Sequence, residues 1–155
     1  MPLTQLCTFT VDDLLIGVEV TQIQEVLPSL PMTRIPLARE MVRGLLNLRG
    51  QIVTAVDLRS CMGLGPRPSG QSPMNVVIRG ATGNVSLLVD SIGDVIEVAD
   101  DAFEAPPSTL KPGLRDLIEA VCKLPSQLLL VLVPERVLRL ADAGERSLSR
   151  AEVAS

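Results

Sequence analysis

Short aliphatic segments, each bounded by turn-forming residues, most limit what this 155-residue chain can fold into. The longest uninterrupted aliphatic run, residues 128–133, has only six residues, whereas a helix needs about 20 to cross a bilayer. The other segments alternate apolar and polar residues or run apolar over a few positions, which is typical of β-strands. About ten such strands with few helices predict an all-β chain built from small barrels.

A glycine- and proline-rich segment interrupts this pattern at residues 63–74. The sequence "GLGPRPSGQSPM" contains three glycines, three prolines and two serines, a composition that predicts a flexible linker. It separates residues 1–62 from residues 75–133. Neither half is expected to bury a large core alone, because small domains bury a smaller fraction of their surface. We therefore expect two small barrels that pack over a shared aliphatic layer.

Three local patterns add detail to this arrangement. Residues 37–44, "LAREMVRG", predict a helix of one or two turns that ends at glycine. A tight hairpin turn is expected at Arg49-Gly50-Gln51, because Gly50 can adopt the positive φ that such a turn requires. Pro134 predicts the start of a closing helix over residues 134–142, and the polar residues 143–155 are expected to form a tail.

The composition excludes several classes of function. The formal net charge is −4 and the only aromatic residues are Phe9 and Phe103, so the chain lacks the basic surface and the stacking platform of a nucleic-acid-binding protein. It has no histidine, which is the usual general base, the commonest metal ligand and the phospho-acceptor of signalling kinases. We therefore expect a protein that is not an enzyme and that binds no metal or cofactor.

The cysteines and the N-terminus indicate the compartment. Cys7, Cys61 and Cys122 are odd in number and far apart, which predicts neither a disulfide framework nor a zinc site. The first residues have no basic region followed by an apolar one, so they do not resemble a signal peptide. Both patterns favour a soluble protein of a reducing cytoplasm, without direct membrane insertion.

Charge is unevenly distributed along the chain. Residues 34–67 contain six arginines against Glu40 and Asp57, a balance of +4, whereas residues 90–104 contain six acidic residues and no basic one, a balance of −6. These segments are either two solvated faces or two surfaces that meet different partners. The second interpretation has a physical basis, because charge complementarity speeds encounter and sets register.

Four segments of the sequence resemble one protein family. Residues 44–59, "GLLNLRGQIVTAVDLR", are similar to the signature of the CheW family, the coupling proteins of bacterial chemosensory arrays. "FTVDDLLIGVEVTQIQEV" resembles the family's first hairpin and helix, "LLVDSIGDVIEV" its central strand pair, and "LLLVLVPERVL" its closing strand and helix. The matching segments follow the family's order and extend from residue 5 to about residue 140.

The resemblance implies both a fold and a function. The implied fold is all-β: two intertwined five-stranded SH3-like barrels with strand exchange, short helices and a C-terminal helix, in one domain over residues 1–140. The implied function is that of a non-enzymatic, cytoplasmic adaptor without cofactors. Such an adaptor binds the cytoplasmic tip of a methyl-accepting chemoreceptor and the regulatory domain of a CheA-type histidine kinase.

Three positions depart from the family pattern. Thr54-Ala55 stands in place of the usual Pro-Val, Ser86 in place of a frequent glycine, and Val133 before Pro134 in place of an acidic or amide residue. These departures leave an alternative open. The chain could be a divergent adaptor that binds only one of the two partners, in a motility, pilus or surface-sensing pathway.

The resemblance also implies which residues contact the receptor or the kinase: Arg49, Ile23, Glu25, Val26, Gly44, Val76 and Val95. Arg49 is the leading candidate, because a guanidinium at a hairpin tip can donate to a carboxylate or to backbone carbonyls; the alternative is a solvated turn charge. The apolar residues would form the floor of a groove for an amphipathic receptor helix, or they belong to the core. Gly44 either keeps a docking surface clear or serves backbone geometry.

Four further motif residues are interpreted as structural. Asn47 lies on an apolar strand, where a buried unpaired amide is costly, so it is expected to bond to the backbone of the neighbouring turn. Gly50 serves the turn itself. Asp57 and Arg59 form either a local ion pair that fixes the next helical turn or ordinary exposed charges.

A hypothesis from another class is a cysteine-dependent enzyme or redox sensor that uses Cys61 or Cys122. This chemistry needs an activated thiolate with a base or a positive charge nearby. The sequence has no histidine to provide one.

Overall fold

The computed structural model describes residues 2–36, 40–80 and 83–140. Within these ranges the chain is mainly β, which confirms the predicted fold class. The strands are β1 (Leu3–Val11), β2 (Leu14–Glu19), β3 (Ile23–Leu27), β4 (Val42–Leu48), β5 (Gln51–Asp57), β6 (Met74–Ile78), β7 (Val85–Val89), β8 (Ser91–Ala99), β9 (Phe103–Glu104), β10 (Ile118–Lys123) and β11 (Leu128–Leu132). The helices are α1 (Leu58–Cys61), α2 (Pro112–Arg115) and α3 (134–140), with 3-10 turns at Val20–Gln22 and Asp100–Ala102.

The strands form two sheets, and each sheet takes strands from both halves of the chain. One has six strands in the order β8-β1-β2-β11-β10-β9, and the other has five in the order β3-β6-β7-β5-β4. The N-terminal hairpin β1–β2 therefore pairs with the C-terminal strands, while β6 and β7 join β3 to β5. Parallel pairs, β2 with β11 and β5 with β7, connect the two halves in each sheet.

Three apolar clusters hold the sheets together. The largest, which we call the central core, takes buried residues from both sheets, such as Phe9 and Ile16 from one and Leu87 from the other. Smaller clusters belong to the six-stranded sheet, around Leu129, and to the five-stranded sheet, around Leu46. The central core is the shared aliphatic layer that the strand pattern predicts.

The run of consecutive aliphatic residues on β11 follows from this layout. Leu130 and Leu132 lie in the central core, whereas Leu129 and Val131 lie in the cluster of the six-stranded sheet. Alternate side chains of a strand point to opposite faces. A strand that is buried on both faces therefore has apolar residues at successive positions rather than an alternating pattern.

The hairpin between β4 and β5 turns at Arg49 and Gly50. Both residues have positive φ, 52° and 83° respectively, and they connect the paired residues Leu48 and Gln51. Positive φ at both central positions is the geometry of a type I′ turn, which matches the twist of the flanking strands. The sequence predicts this conformation for Gly50 but not for Arg49, where a side chain makes it cost about 1–2 kcal/mol.

Two other predicted elements differ in extent. Of the predicted helix at 37–44, residues 37–39 lie outside the described residues, and β4 already begins at Val42. Thr33, before the predicted helix, forms a β-bridge with Leu45, just after it. The closing helix begins at Pro134 as predicted, and its described part ends at residue 140; the predicted residues 141–142 and the tail 143–155 lie outside the described chain.

No helix in the described ranges combines the length and the apolar composition that spanning a bilayer would require.

Candidate functional site

An ion pair between Arg49 and Glu25 lies at the β4–β5 hairpin tip of the five-stranded sheet. Arg49 Nη1 donates to Glu25 Oε1 at 2.7 Å, and Arg49 Nη2 donates to Glu25 Oε2 at 2.6 Å. Glu25 lies on β3 and the hairpin contains β4, and these are the two edge strands of the sheet. The pair therefore spans the two edges of the five-stranded sheet.

This contact holds the guanidinium in place without burying it. The Arg49 side chain is 69% exposed and that of Glu25 is 17% exposed. The hydrogen bonds and the charge of Glu25 raise the pKa of Arg49 above its ordinary value. A guanidinium has five N–H groups; two of them bond to Glu25, and the side chain is exposed enough for the others to meet a partner.

Asn47 completes the hairpin tip. Its Oδ1 accepts a hydrogen bond from the Gly50 N–H at 3.1 Å, which is the bond to the turn backbone expected from the sequence. Ile52, three residues after Arg49 at the start of β5, is 65% exposed. The sequence analysis missed Ile52, although its position gave a signal: it is an apolar residue in the residue pair next to the one that closes the hairpin turn, opposite Asn47.

The other predicted partner-binding residues on β3 and β4 are less exposed. Ile23 and Val26 are half-buried on the edge strand β3, and Ile23 also packs against the central core. Gly44 is buried, and a Cβ there would lie 2.5 Å from the carbonyl oxygen of Thr33. The structure therefore gives Gly44 a backbone-packing role, because Thr33 already occupies the space beside it.

Val76 and Val95 lie in different environments. Val76 has no exposed surface and belongs to the central core, so its expected place on a partner surface is corrected to a core position. Val95 is 56% exposed, but it lies on β8 in the six-stranded sheet, whereas Arg49 and Glu25 belong to the five-stranded sheet. The predicted residues thus divide between two sheets and the core.

A cavity of about 1000 Å³ lies elsewhere on the molecule, between α2, the start of β10 and α3. Its lining includes Met41, Leu110, Arg115, Leu117, Arg136 and Leu140. None of the predicted partner-binding residues lines it. The hairpin tip and this cavity are therefore separate features.

A network of arginines and aspartates with a buried centre and two less buried members, Asp12 and Arg43, lies at the end of β5; we call it the arginine network. Its members are Asp12, Arg43, Asp57, Arg59, Arg67 and Asp90. Arg59 Nη2 donates to Asp90 Oδ2 at 2.6 Å, and Arg67 Nε donates to Asp90 Oδ1 at 2.9 Å. Asp57 accepts from Arg67 Nη2 at 3.1 Å and from Arg43 Nε at 3.1 Å.

The network corrects the interpretation of Asp57 and Arg59. Asp57 Oδ1 accepts from the Arg59 N–H at 3.0 Å, so Asp57 does fix the start of α1. The two side chains, however, are both buried and take other partners: Arg59 pairs with Asp90, and Asp57 with Arg67. Both predicted alternatives for Asp57 and Arg59, a local ion pair and ordinary exposed charges, are therefore wrong.

The electrostatic state of Asp90 follows from its surroundings. Burial alone raises the pKa of a carboxyl group. The hydrogen bonds from Arg59 and from the Asp12 N–H, with the charges of Arg59 and Arg67, outweigh that effect and bring the pKa of Asp90 below its ordinary value. Asp90 is therefore an ionised carboxylate at neutral pH, and the network is a set of paired charges.

The described cysteines do not form a reactive site. Cys7, Cys61 and Cys122 are free and buried. Burial, with the negative charge of Asp57, raises the pKa of Cys61 to about 12, and burial also raises the pKa of Cys122. Since the thiolate is the reactive form, these environments argue against the cysteine-dependent hypothesis. In the described ranges, no three His, Cys, Asp or Glu side chains are grouped as a metal site would require.

Comparisons with known proteins agree with the fold. The family model described as "CheW-like domain" matches residues 5–142. The chemotaxis protein CheW of Bacillus subtilis (strain 168) is 26% identical over 122 residues, covering 79% of this chain and 78% of that protein. The probable chemotaxis protein CheW of Rhizobium etli is 26% identical over 103 residues, covering 66% of each. The crystal structure of the scaffolding protein TtCheW from Thermoanaerobacter tengcongensis superimposes with a TM-score of 0.76 at 24% identity, covering 86% of this chain and 90% of that one.

Proposed function

The chain belongs to the CheW-like domain family, and we propose that it is a non-enzymatic coupling protein of a chemosensory array. In this proposal it links the cytoplasmic tip of a methyl-accepting chemoreceptor to the regulatory domain of a CheA-type histidine kinase. The names of its relatives, chemotaxis protein CheW and scaffolding protein TtCheW, support a chemotaxis scaffold of this kind. The two partners themselves, a receptor and a kinase, are the more specific part of the proposal, because those names do not state them.

The observation that carries the proposal is the exposed Arg49 guanidinium at the hairpin tip, paired with the mostly buried Glu25. The type I′ turn and the two hydrogen bonds to Glu25 fix the guanidinium before a partner arrives. Fixing a side chain in advance reduces the entropy lost on binding. An exposed arginine with free donors suits a partner carboxylate or a row of backbone carbonyls.

Apolar surface near the pair provides the second element of a docking site. Ile52 is the exposed aliphatic residue on the same hairpin, and Ile23 and Val26 are half-buried on β3 beside Glu25. An amphipathic helix docks by laying its apolar face on such residues while polar contacts fix its orientation. We therefore place the receptor or kinase contact on the five-stranded sheet around Arg49.

The test is capture of each partner by variants that keep the turn intact. Arg49→Asn removes the guanidinium but tolerates positive φ, because asparagine adopts that conformation more readily than most residues. Capture of receptor-tip fragments or of the kinase regulatory domain should weaken about 10-fold, the loss of one charged hydrogen-bonding contact. Arg34→Asn, at an exposed position outside the hairpin, is the control for lost charge and should bind as the wild type does. Full capture of both partners by folded Arg49→Asn protein would contradict the proposal.

The alternative is a divergent adaptor that binds only one of these partners. Of the departures that motivate it, Ala55 is completely buried and Val133 is half-buried. These residues therefore alter core packing more than they alter a partner surface, which favours the two-partner proposal. Measuring receptor and kinase binding separately distinguishes the two, because the alternative predicts capture of one partner alone.

A further inference from the structure

Arg67 is the only charged residue in the proline- and glycine-rich segment 63–74. Its side chain is only 11% exposed, although its neighbours Pro66 and Pro68 are exposed. A long charged side chain in a surface segment is usually solvated. The arrangement at Arg67 therefore reflects specific contacts rather than burial of the whole segment.

Those contacts reach across to two strands. The Arg67 guanidinium donates to Asp57, to Asp90 and, at 3.3 Å, to the Leu88 carbonyl oxygen. Arg59 Nη1 donates to the carbonyl oxygens of Gly65 and Pro66, at 3.0 and 3.2 Å. The segment is thus fixed to the arginine network at two adjacent points.

The anchors lie where the two sheets meet. Asp57 ends β5, and Asp90 follows β7, the parallel neighbour of β5 in the five-stranded sheet. Asp90 also accepts a 2.6 Å hydrogen bond from the Asp12 N–H, which belongs to the β1–β2 turn of the six-stranded sheet. Arg67 therefore bonds to residues that join both sheets.

We propose that residues 65–72 form a strap that Arg67 closes over this junction and that opens as a local unit when Arg67 is released. The backbone beyond Arg67 is exposed, and residues 68–72 have no buried side chain. Segments with few buried apolar contacts open at low free energy. The hydrogen bonds of Arg67 consequently determine whether the connection from α1 to β6 is ordered, and this inference does not depend on the identity of any partner.

The test is amide hydrogen exchange in the full chain, comparing wild type with Arg67→Ala. The variant is expected to fold, because Asp57 keeps its contact with Arg43 and Asp90 keeps Arg59. The Gln71 N–H, which donates to the Pro68 carbonyl oxygen at 3.1 Å within the strap, should exchange roughly 10- to 100-fold faster, the factor expected from losing hydrogen bonds to charged groups. Exchange in β5, β6 and β7 should change far less.

Two controls separate the strap from general effects. Gln71→Ala changes an exposed residue of the same segment and should leave exchange at its wild-type rate. Arg67→Lys keeps the charge but loses the forked donor geometry, so its exchange should lie between those of wild type and Arg67→Ala. Unchanged exchange of the Gln71 amide in Arg67→Ala would overturn the proposal. An equal increase in β5 and β7 would also overturn it, because it would mean global destabilisation rather than local opening.

Discussion

At the scale of single residues, the close approach of the Thr33 backbone explains why position 44 is a glycine. Gly44 lies where Thr33 crosses β4, and the isolated bridge between Thr33 and Leu45 leaves no room for a Cβ. The sequence analysis offered two roles for this glycine, and the geometry identifies one of them. Sequence alone could not choose, because no local pattern reports that the Thr33 backbone pairs beside Gly44.

Gly44→Ala should therefore destabilise the fold. The new Cβ would lie 2.5 Å from a backbone oxygen that cannot move as a flexible side chain does, so we expect a loss of about 1–3 kcal/mol. Gly113→Ala is the matched control, because nothing lies within 4 Å of the added Cβ and glycine weakens a helix relative to alanine. Urea unfolding of both variants checks this, and equal stability of the two would contradict the steric explanation.

At the scale of elements, the sequence predicted strands well and the charged contacts between them poorly. Alternation and turn residues place the β1–β2 and β4–β5 hairpins, whose partners are near in sequence. Asp90 and Arg67, in contrast, meet Asp57 and Arg59 across the chain. No local pattern reports such a contact, which explains why Arg59 was interpreted as a local charge.

Strand β11 provides an element-scale prediction. Leu130 is 2% exposed in the central core, whereas Leu128, on the same strand, is 36% exposed. Leu130→Ala should cost about 2–5 kcal/mol, because it removes buried methyl groups and leaves a cavity, and Leu128→Ala should cost much less. Denaturant unfolding measures both. Similar losses for the two variants would contradict the difference in burial between Leu130, in the central core, and Leu128, at the exposed start of the strand.

At the scale of the whole molecule, the arginine network is a set of charged contacts that connects the two sheets of a largely aliphatic protein. We call this connection the joint. It bonds the β1–β2 turn of the six-stranded sheet to the ends of β5 and β7 in the five-stranded sheet. The central core supplies most of the burial but is non-directional. Hydrogen-bonded ion pairs have defined geometry, so the network fixes how the sheets are oriented while the core holds them together.

The joint gives stability a definite pH dependence. The pKa of Asp90 is lower in the folded chain than its ordinary value of 3.8, so Asp90 contributes stability above that value, and the contribution is lost as pH falls through the folded pKa. Asp90→Asn should cost about 3–5 kcal/mol at pH 7, because it removes the charge that pairs with buried Arg59. The difference in unfolding free energy between wild type and variant should become smaller below about pH 4.

Asp13→Asn, at an exposed position of the β1–β2 turn, is the control, and its unfolding free energy should differ little from that of the wild type at pH 7. Unfolding free energies measured from pH 7 to pH 3 decide the matter: a difference for Asp90→Asn that stays constant over this range would show that the carboxylate charge does not stabilise the joint.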